Sequence, residues 1–470
     1  MSTKKRICEA CTLGGKSFPV FGPSFSRRRF FELAGTGIAG SYLANALAPP
    51  RRLEAATSPA LKGSARNLIF VFMAGGPSHS DLWDLKEGPW TPAAFAPTTF
   101  GGNVRFAQGL MPNISQHLGR ITLLRSVLSW AAVHSLAQTW AQQSRNPAGV
   151  LGDIAPNIGS VVSLELAAQR RAGDVLPGFI ALNATPSKGS GYLPARYAPL
   201  VATGLSATGL ASVKPNAYGG TAAFAERHGL LQTLDADRTG APLGAAPADM
   251  VDFYGQAKAL VDSPTVNNLF SWTAADYARY GSTSFGGAAL VAKQLLAANQ
   301  GARYIQLTVG GWDNHSNIYG ANAGLFSQMK FFDPAIGTLL ADLEAAPGAA
   351  PGKTLLDETL VVMLGEFGRT VGAPNGQGGR DHFLRTGVAL AGGGVAGGRA
   401  IGVTDATASK VVDFGWSGNR DIRIEDVTCT IYSALGIDYT TVRHDDPIGR
   451  GYEYVPFAKD GVYKPVDEAF

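Results

Sequence analysis

Short runs that are apolar at nearly every position alternate along the chain with stretches whose apolar residues recur every three or four positions. The run Asn67-Leu68-Ile69-Phe70-Val71-Phe72-Met73 ends in Ala74-Gly75-Gly76-Pro77. A strand with one face in water would alternate, so a run without alternation belongs to a strand covered on both faces, as in a parallel sheet. Similar runs lie at 121–124, 179–182, 304–309 and 359–364, with 387–391 as a sixth, and helix-like spacing separates several of them, at 158–171, 288–299 and 334–343. This order predicts an α/β fold with a mainly parallel central sheet and helices on both faces. Residues 186–284 are richer in Gly, Ala, Ser and Thr and lack long strands, and read as a partly helical insertion placed to cap a site. The glycines at 392–394 and 397–398 read as a tight turn, because no helix start or Lys-Ser/Thr pair follows as it would in a phosphate loop.

Residues 1–56 break the pattern. Ser26-Arg27-Arg28-Arg29-Phe30-Phe31 carries the twin-arginine export signature, and the apolar stretch at 33–48 is too short and too rich in Gly and Ala for a membrane span. The expected organisation is a leader over 1–56, a linker over 57–65 and one domain over 66–470. Cleavage would follow Ala46-Leu47-Ala48 or fall near Ala55-Ala56. The mature protein is then periplasmic or extracellular, with the twin-arginine export machinery as a partner and no stable membrane span after processing. The leader holds nine of the 40 Lys and Arg and three of the 36 Asp and Glu, so a net charge of +4 hides a remainder of 31 basic and 33 acidic residues. Nothing global then argues for a nucleic-acid partner. Cys8-x-x-Cys11 also falls in the leader, which leaves Cys429 alone and excludes a disulfide framework in the mature chain.

Three polar clusters follow predicted strands: Gly311-Trp312-Asp313-Asn314-His315, Gly365-Glu366-Phe367-Gly368-Arg369 and Gly379-Arg380-Asp381-His382. The carboxyl ends of strands are where open α/β sheets bind ligands. Carboxylates and imidazoles gathered there suit a divalent metal, Zn²⁺ or Mn²⁺ ahead of Ca²⁺. The chain has seven histidines, and two of them sit close to an Asp in these glycine-rich exits. Asp313, His315, Glu366, Asp381 and His382 are therefore the central candidates. If several anionic groups gather there, their repulsion would raise at least one carboxyl pKa. Asp81 and His134 are further candidate ligands, and Ser135, at a predicted helix start, is a candidate nucleophile. Each has a plainer alternative: Asp313 as a turn residue, His315 as a helix cap, Asp381 and Glu366 as partners of Arg369 or Arg380, Ser78 or Ser80 as the cap of a helix at Asp81, and Ser135 as an N-cap.

With these motifs the chain resembles the family called domain of unknown function 1501, secreted proteins related to the alkaline phosphatase-like and sulfatase-like superfamily. The likeness rests on Gly75-Gly76-Pro77-Ser78 with Asp81 and Asp84, Arg125-Ser126 followed by His134, Gly311-Trp312-Asp313-x-His315, Glu366-Phe367-Gly368-Arg369-Thr370 and Gly379-Arg380-Asp381-His382, and takes in Gly191-Tyr192-Leu193-Pro194-Ala195. It implies an alkaline phosphatase-like sheet with a metal site along its edge, Asp313 and His315 serving one ion and Glu366, Asp381 and His382 completing the site. The implied activity is hydrolysis of a phosphate or sulfate ester, of a small molecule or a polymer, by Ser135 or a water. Two departures stand out: the first strand ends in Ala74-Gly75-Gly76 where the superfamily places an Asp, and Glu366-Phe367 stands where it has an Asp-His pair. A binding protein using the same pocket without turnover, or a structural component of an envelope assembly, are the rival classes. Export gives the first test. Lysine keeps the charge of arginine but loses its planar fork, so replacing Arg27, Arg28 and Arg29 together by Lys should leave the precursor in the cytoplasm, as read by cell fractionation; normal export of that triple variant would remove the leader.

Overall fold

The computed structural model describes residues 59–101, 103–236 and 245–470. The predicted leader, with its arginines, Cys8 and Cys11, and the start of the linker lie outside the described residues. Eight strands make one sheet. In chain order they are β1 (Asn67–Met73), β2 (Ile121–Leu128), β3 (Phe179–Leu182), β4 (Leu200–Ala202), β5 (Tyr304–Val309), β6 (Thr359–Leu364), β7 (Arg385–Ala391) and β8 (Arg399–Ile401). Across the sheet they run β8-β2-β7-β6-β1-β5-β3-β4. Every pairing is parallel except those of β7, which is antiparallel to both β6 and β2. The carboxyl ends of all strands but β7 therefore share one edge.

Successive side chains of β1 enter opposite cores, which explains the missing alternation: Leu68, Phe70 and Phe72 one way, Ile69, Val71 and Met73 the other. The first core is roofed by α2 (Ile158–Glu165) and α5 (Ile424–Ala434), the second by α3 (Ser284–Ala298) and α4 (Gly324–Ala345). Between β2 and α2 runs α1 (His134–Gln143). The helix expected to begin at Pro334 begins at Gly324 and carries Pro334 inside it. Leu325, Met329 and Phe332 are buried upstream of the proline, so packing carries the helix through the missing backbone N–H. Helix α2 stops at Glu165, short of the expected end, and gives way to a 3-10 turn at Ala167–Gln169.

The segment 186–284 lies between β3 and β5 in the chain. It adds β4 to one end of the sheet and then forms helices, among them Thr221–Leu234 and Ala245–Asp262. Among its polar bonds, Ser187 meets Gln142 of α1 at 2.9 Å, the Asn157 side chain donates to the Lys188 carbonyl at 3.3 Å, and the Tyr280 hydroxyl donates to Asp342 of α4 at 3.0 Å. No described helix is long and apolar enough to cross a membrane. Leu307 of β5 is fully buried while Leu230 on an outer helix is 60% exposed. Leu307→Ala should lower stability by about 2–5 kcal/mol and Leu230→Ala by less than about 0.5 kcal/mol, read from urea unfolding; equal midpoints would contradict the central place of β5.

Candidate metal centre

Register sets the site. Met73 pairs with Val309 and Phe72 with Leu364, so β1, β5 and β6 end nearly level and their exits meet. Gly75 and Gly76, at φ +118° and +71°, let this happen. A Cβ on Gly75 would come within 2.7 Å of the Asp313 amide nitrogen, and one on Gly76 within 2.6 Å of the Phe367 ring. The exits of β5 and the loop before β7 are laced together by the Arg380 N–H, which donates to the Asn314 carbonyl at 2.9 Å, and by a bridge between Ser316 and Gly378. His382 is then fixed opposite Arg369 in a two-residue antiparallel pair.

On this frame three imidazoles face one carboxylate. Asp313 Oδ1 lies 3.0 Å from His315 Nε2, and 3.4 Å from both His134 Nε2 and His382 Nε2. His315 Nε2 and His382 Nε2 are themselves 3.0 Å apart. The ligating atoms of His134, Asp313 and His382 all lie within 4.8 Å of one another. Each ring is held from behind at Nδ1: His134 by Glu366 Oε1 at 2.7 Å, His315 by Asp381 Oδ1 at 2.8 Å, His382 by the Ala132 carbonyl at 2.8 Å. These acceptors demand a proton on Nδ1, so each neutral ring turns its Nε2 lone pair toward Asp313. Lone pairs so close together repel unless a cation or proton lies between them, which makes the cluster a candidate metal centre. It is accessible, with the Asp313 and His315 side chains 48% and 44% exposed.

Asp313 is held a second time, by Arg369. That guanidinium is fully buried and also donates to the carbonyls of Gly75, Gly76 and Arg380. Burial works to raise the Asp313 pKa, but the hydrogen bond and charge of Arg369, with His134 and His315, outweigh it and leave the group at about 2. Asp381 is also lowered, by its hydrogen bonds to His315 and Asn375. The expectation of a raised carboxyl is thus reversed at both, because donors surround each acid.

The structure brings together Asp313, His315, His382, His134, Glu366 and Asp381, but in two layers. Glu366 stands behind His134 instead of beside Asp313: its Oε1 also accepts from the Gly75 N–H at 2.9 Å and from Gln138 at 3.0 Å. Asp381 stands behind His315 in the same way, and Asn375 Nδ2 donates to it at 3.2 Å. Asp81 is not brought to the cluster. Its buried carboxylate is taken by Arg380 at 3.0 Å, by the Tyr319 hydroxyl at 2.6 Å and by Ser78. Asp84 is likewise buried against Arg125, Lys86 and Thr404. Ser135 follows His134 in the first turn of α1, exposed, and its hydroxyl has no hydrogen bond among the described residues. Residues not expected are Gln138, Asn375, the Ala132 carbonyl and Phe367, whose ring lies 4.9 Å from that of His134 and 4.6 Å from that of His382. The His-x-x-x-Gln spacing, one helical turn, was the readable sign of Gln138.

Fold and site together define an α/β protein with a mainly parallel sheet and a histidine-carboxylate centre at its carboxyl edge. The chain belongs to the family described as "Protein of unknown function (DUF1501)", whose model matches residues 65–452. No curated protein matches it in sequence. Among solved structures it is similar to Ps i-CgsB in complex with k-i-k-neocarrahexaose (10% identity, 85% of this chain and 77% of that one, TM-score 0.41). It is also similar to the PsFucS1 sulfatase from Pseudoalteromonas sp. (11%, 80% and 68%, TM-score 0.39). A third is the lipoteichoic acid synthase LtaP from Listeria monocytogenes (11%, 85% and 79%, TM-score 0.38).

The lowered Asp313 pKa fixes the sign of a pH effect. A carboxyl that titrates at about 3.9 unfolded and at about 2 folded contributes stability that is fully present above the unfolded value and lost as pH falls through the folded one. Arg369→Met should erase most of this dependence between about pH 4 and 2. At neutral pH it should cost on the order of 3 kcal/mol, because the donor of several buried carbonyls is gone. Urea unfolding of the metal-free protein across that range checks both; an unchanged acid limb in the variant would disprove the pairing.

Proposed function

We propose that this protein is an exported metal-dependent hydrolase of phosphate or sulfate esters. The observation that carries the reading is the convergence of His134, His315 and His382 Nε2 on Asp313 Oδ1, each ring fixed at Nδ1. Ligands at 2.0–2.1 Å from a tetrahedral Zn²⁺ stand roughly 3.3 Å from one another; four of the six separations here are 3.0 to 3.4 Å, and the His134, Asp313 and His382 atoms all lie within 4.8 Å of one another. Three nitrogens and one carboxylate oxygen favour Zn²⁺ over the oxygen-seeking Mn²⁺ and Ca²⁺. His134, His382, Asp313 and His315 would hold the ion. When bound, it would supply Lewis acidity to an ester oxygen.

The chain's own groups support an anionic ligand there. Helix α1 begins at His134 with no side chain capping its first turn and no acid in it, so its free N–H groups leave positive potential beside the cluster. The exposed Ser135 hydroxyl stands in that same turn, as a nucleophile should. A structural ion would be enclosed by protein, whereas this cluster is open to solvent on the Asp313 and His315 side. One observation favours the second reading, a binding protein without turnover: among the described residues no base is hydrogen-bonded to the Ser135 hydroxyl. The twin-arginine leader is the basis for export.

Elemental analysis of the purified mature protein should find a stoichiometric divalent metal, lost in His134→Ala, His382→Ala and Asp313→Ala and kept in Asp438→Ala. Glu366→Gln should weaken metal affinity about 10–100-fold by releasing His134. The metal-loaded protein should turn over at least one member of a panel of phosphomonoesters, phosphodiesters and sulfate esters, and Ser135→Ala should slow it. Metal content unchanged in all three site variants would end the metal reading; tight metal with no turnover across the panel would leave the binding reading.

A further inference from the structure

Beside the metal centre lies a hollow of about 420 Å³ that the proposed chemistry does not use. That volume is within the range of pockets for small organic ligands. Trp130, in the loop that leads from β2 to His134, and Trp140, on the helix that begins at His134, form its inner wall with rings stacked 5.8 Å apart at 19°. Six residues of helix separate Trp140 from His134, a rise of roughly 9 Å. The two tryptophans also line a narrow cavity that reaches Glu366. Phe457 and Tyr463 close the outer side, and Arg145 and Arg450 supply the charge.

The polar chemistry of the lining decides what fits. Both indole N–H groups are spent on one buried carboxylate: Trp130 donates to Glu425 at 2.9 Å and Trp140 to the same group at 2.9 Å. The indoles therefore offer the hollow no polar donor, and Trp130, stacked on Trp140 and overlaid by the Arg423 guanidinium 3.9 Å from its centroid, presents its edge. Positive charge is in excess: two guanidiniums line the hollow with one carboxylate, Glu425, which both indoles occupy. Arg450 is exposed and its guanidinium has no ion pair or hydrogen bond among the described residues; Arg145 is buried, and its Nε lacks a partner. The backbone places Arg450 firmly, because Asp446 accepts the N–H groups of Ile448, Arg450 and Gly451 at 3.1, 3.2 and 2.8 Å. Three large apolar side chains of this wall and rim, Trp130, Val150 and Phe457, are exposed by 41 to 62%.

We propose that this hollow is a binding subsite for a flat aromatic group that carries a negative charge. Resting on the hydrolase reading, it is the place where the ring of an aryl ester sits while its ester group reaches the metal centre. The ring packs against Trp140 and Phe457, and Arg450 takes the anionic substituent.

Binding is tested without metal or turnover. The metal-free mature protein is titrated with naphthalene-2-sulfonate while tryptophan emission is followed, with methanesulfonate and 2-naphthol as the charge alone and the ring alone. Saturable quenching by naphthalene-2-sulfonate is expected, weakened about tenfold or more in Arg450→Ala and in Phe457→Ala and by added salt, with methanesulfonate giving no saturation. Both substituted residues are at the surface, so the variants should fold, and circular dichroism checks it. Asp313→Ala should bind the probe as wild type does. Absence of saturable quenching, equal affinity in wild type and both pocket variants, or loss of binding in Asp313→Ala would each overturn the subsite. A protein that binds the probe but hydrolyses no ester loses only the hydrolase reading, and one that hydrolyses esters but ignores the probe loses only the subsite.

Discussion

One buried guanidinium decides whether the site exists. Parallel strands deliver their last carbonyls to the same edge, and at β1 those oxygens lie next to the acid that follows β5. Without a donor, the Gly75 and Gly76 carbonyls and Asp313 would face one another unpaired. Arg369, four residues beyond the start of the β6 exit, meets all three and the Arg380 carbonyl as well. Only a planar fork with several N–H groups can do this; a lysine ammonium could not span the set. Three chain segments distant in sequence are thereby locked to one another, and the carboxylate that the histidines face is held in place and ionised.

What the guanidinium does for Asp313, three different acceptors do for the histidines. Glu366, Asp381 and the Ala132 carbonyl each fix a ring and its tautomer from behind. The acceptors come from the β6 exit, the loop before β7 and the loop after β2, three segments distant in sequence. Most of the ordering entropy of a binding centre is spent during folding.

The fold was legible where physics leaves one option. Runs such as 304–309 and 359–364 are apolar on both faces, and their strands span those same residues. The same lack of alternation hid the direction of β7, since a strand buried on both faces reads alike either way up. Strands β4 and β8, three residues each, carry too little pattern to see. In the site, histidines close to acids in glycine-rich exits were readable as a cluster. The layering was not: nothing local tells that Glu366 meets His134 across 232 positions, or that Asp81 is claimed by Arg380 across 299. Nor could sequence reveal that arginine and imidazole would outnumber the acids, which is why the expected rise in carboxyl pKa has the wrong sign.

The glycines that follow β1 obey the same geometry. No side chain fits at Gly75 or Gly76, because the Asp313 backbone and the Phe367 ring already fill the space. The central strand thus contributes only carbonyls, and the clustered side chains come from other segments: Asp313 and His315 after β5, His382 before β7, His134 at the start of α1. Drawing one imidazole from a helix start has a consequence of its own. It sets the uncapped first turn of α1, with Ser135 in it, against the cluster, and sends the rest of that helix, with Trp140, along the wall of the aromatic hollow. Helix α1 thus runs from the histidine-carboxylate cluster at His134 to the hollow at Trp140 within ten residues.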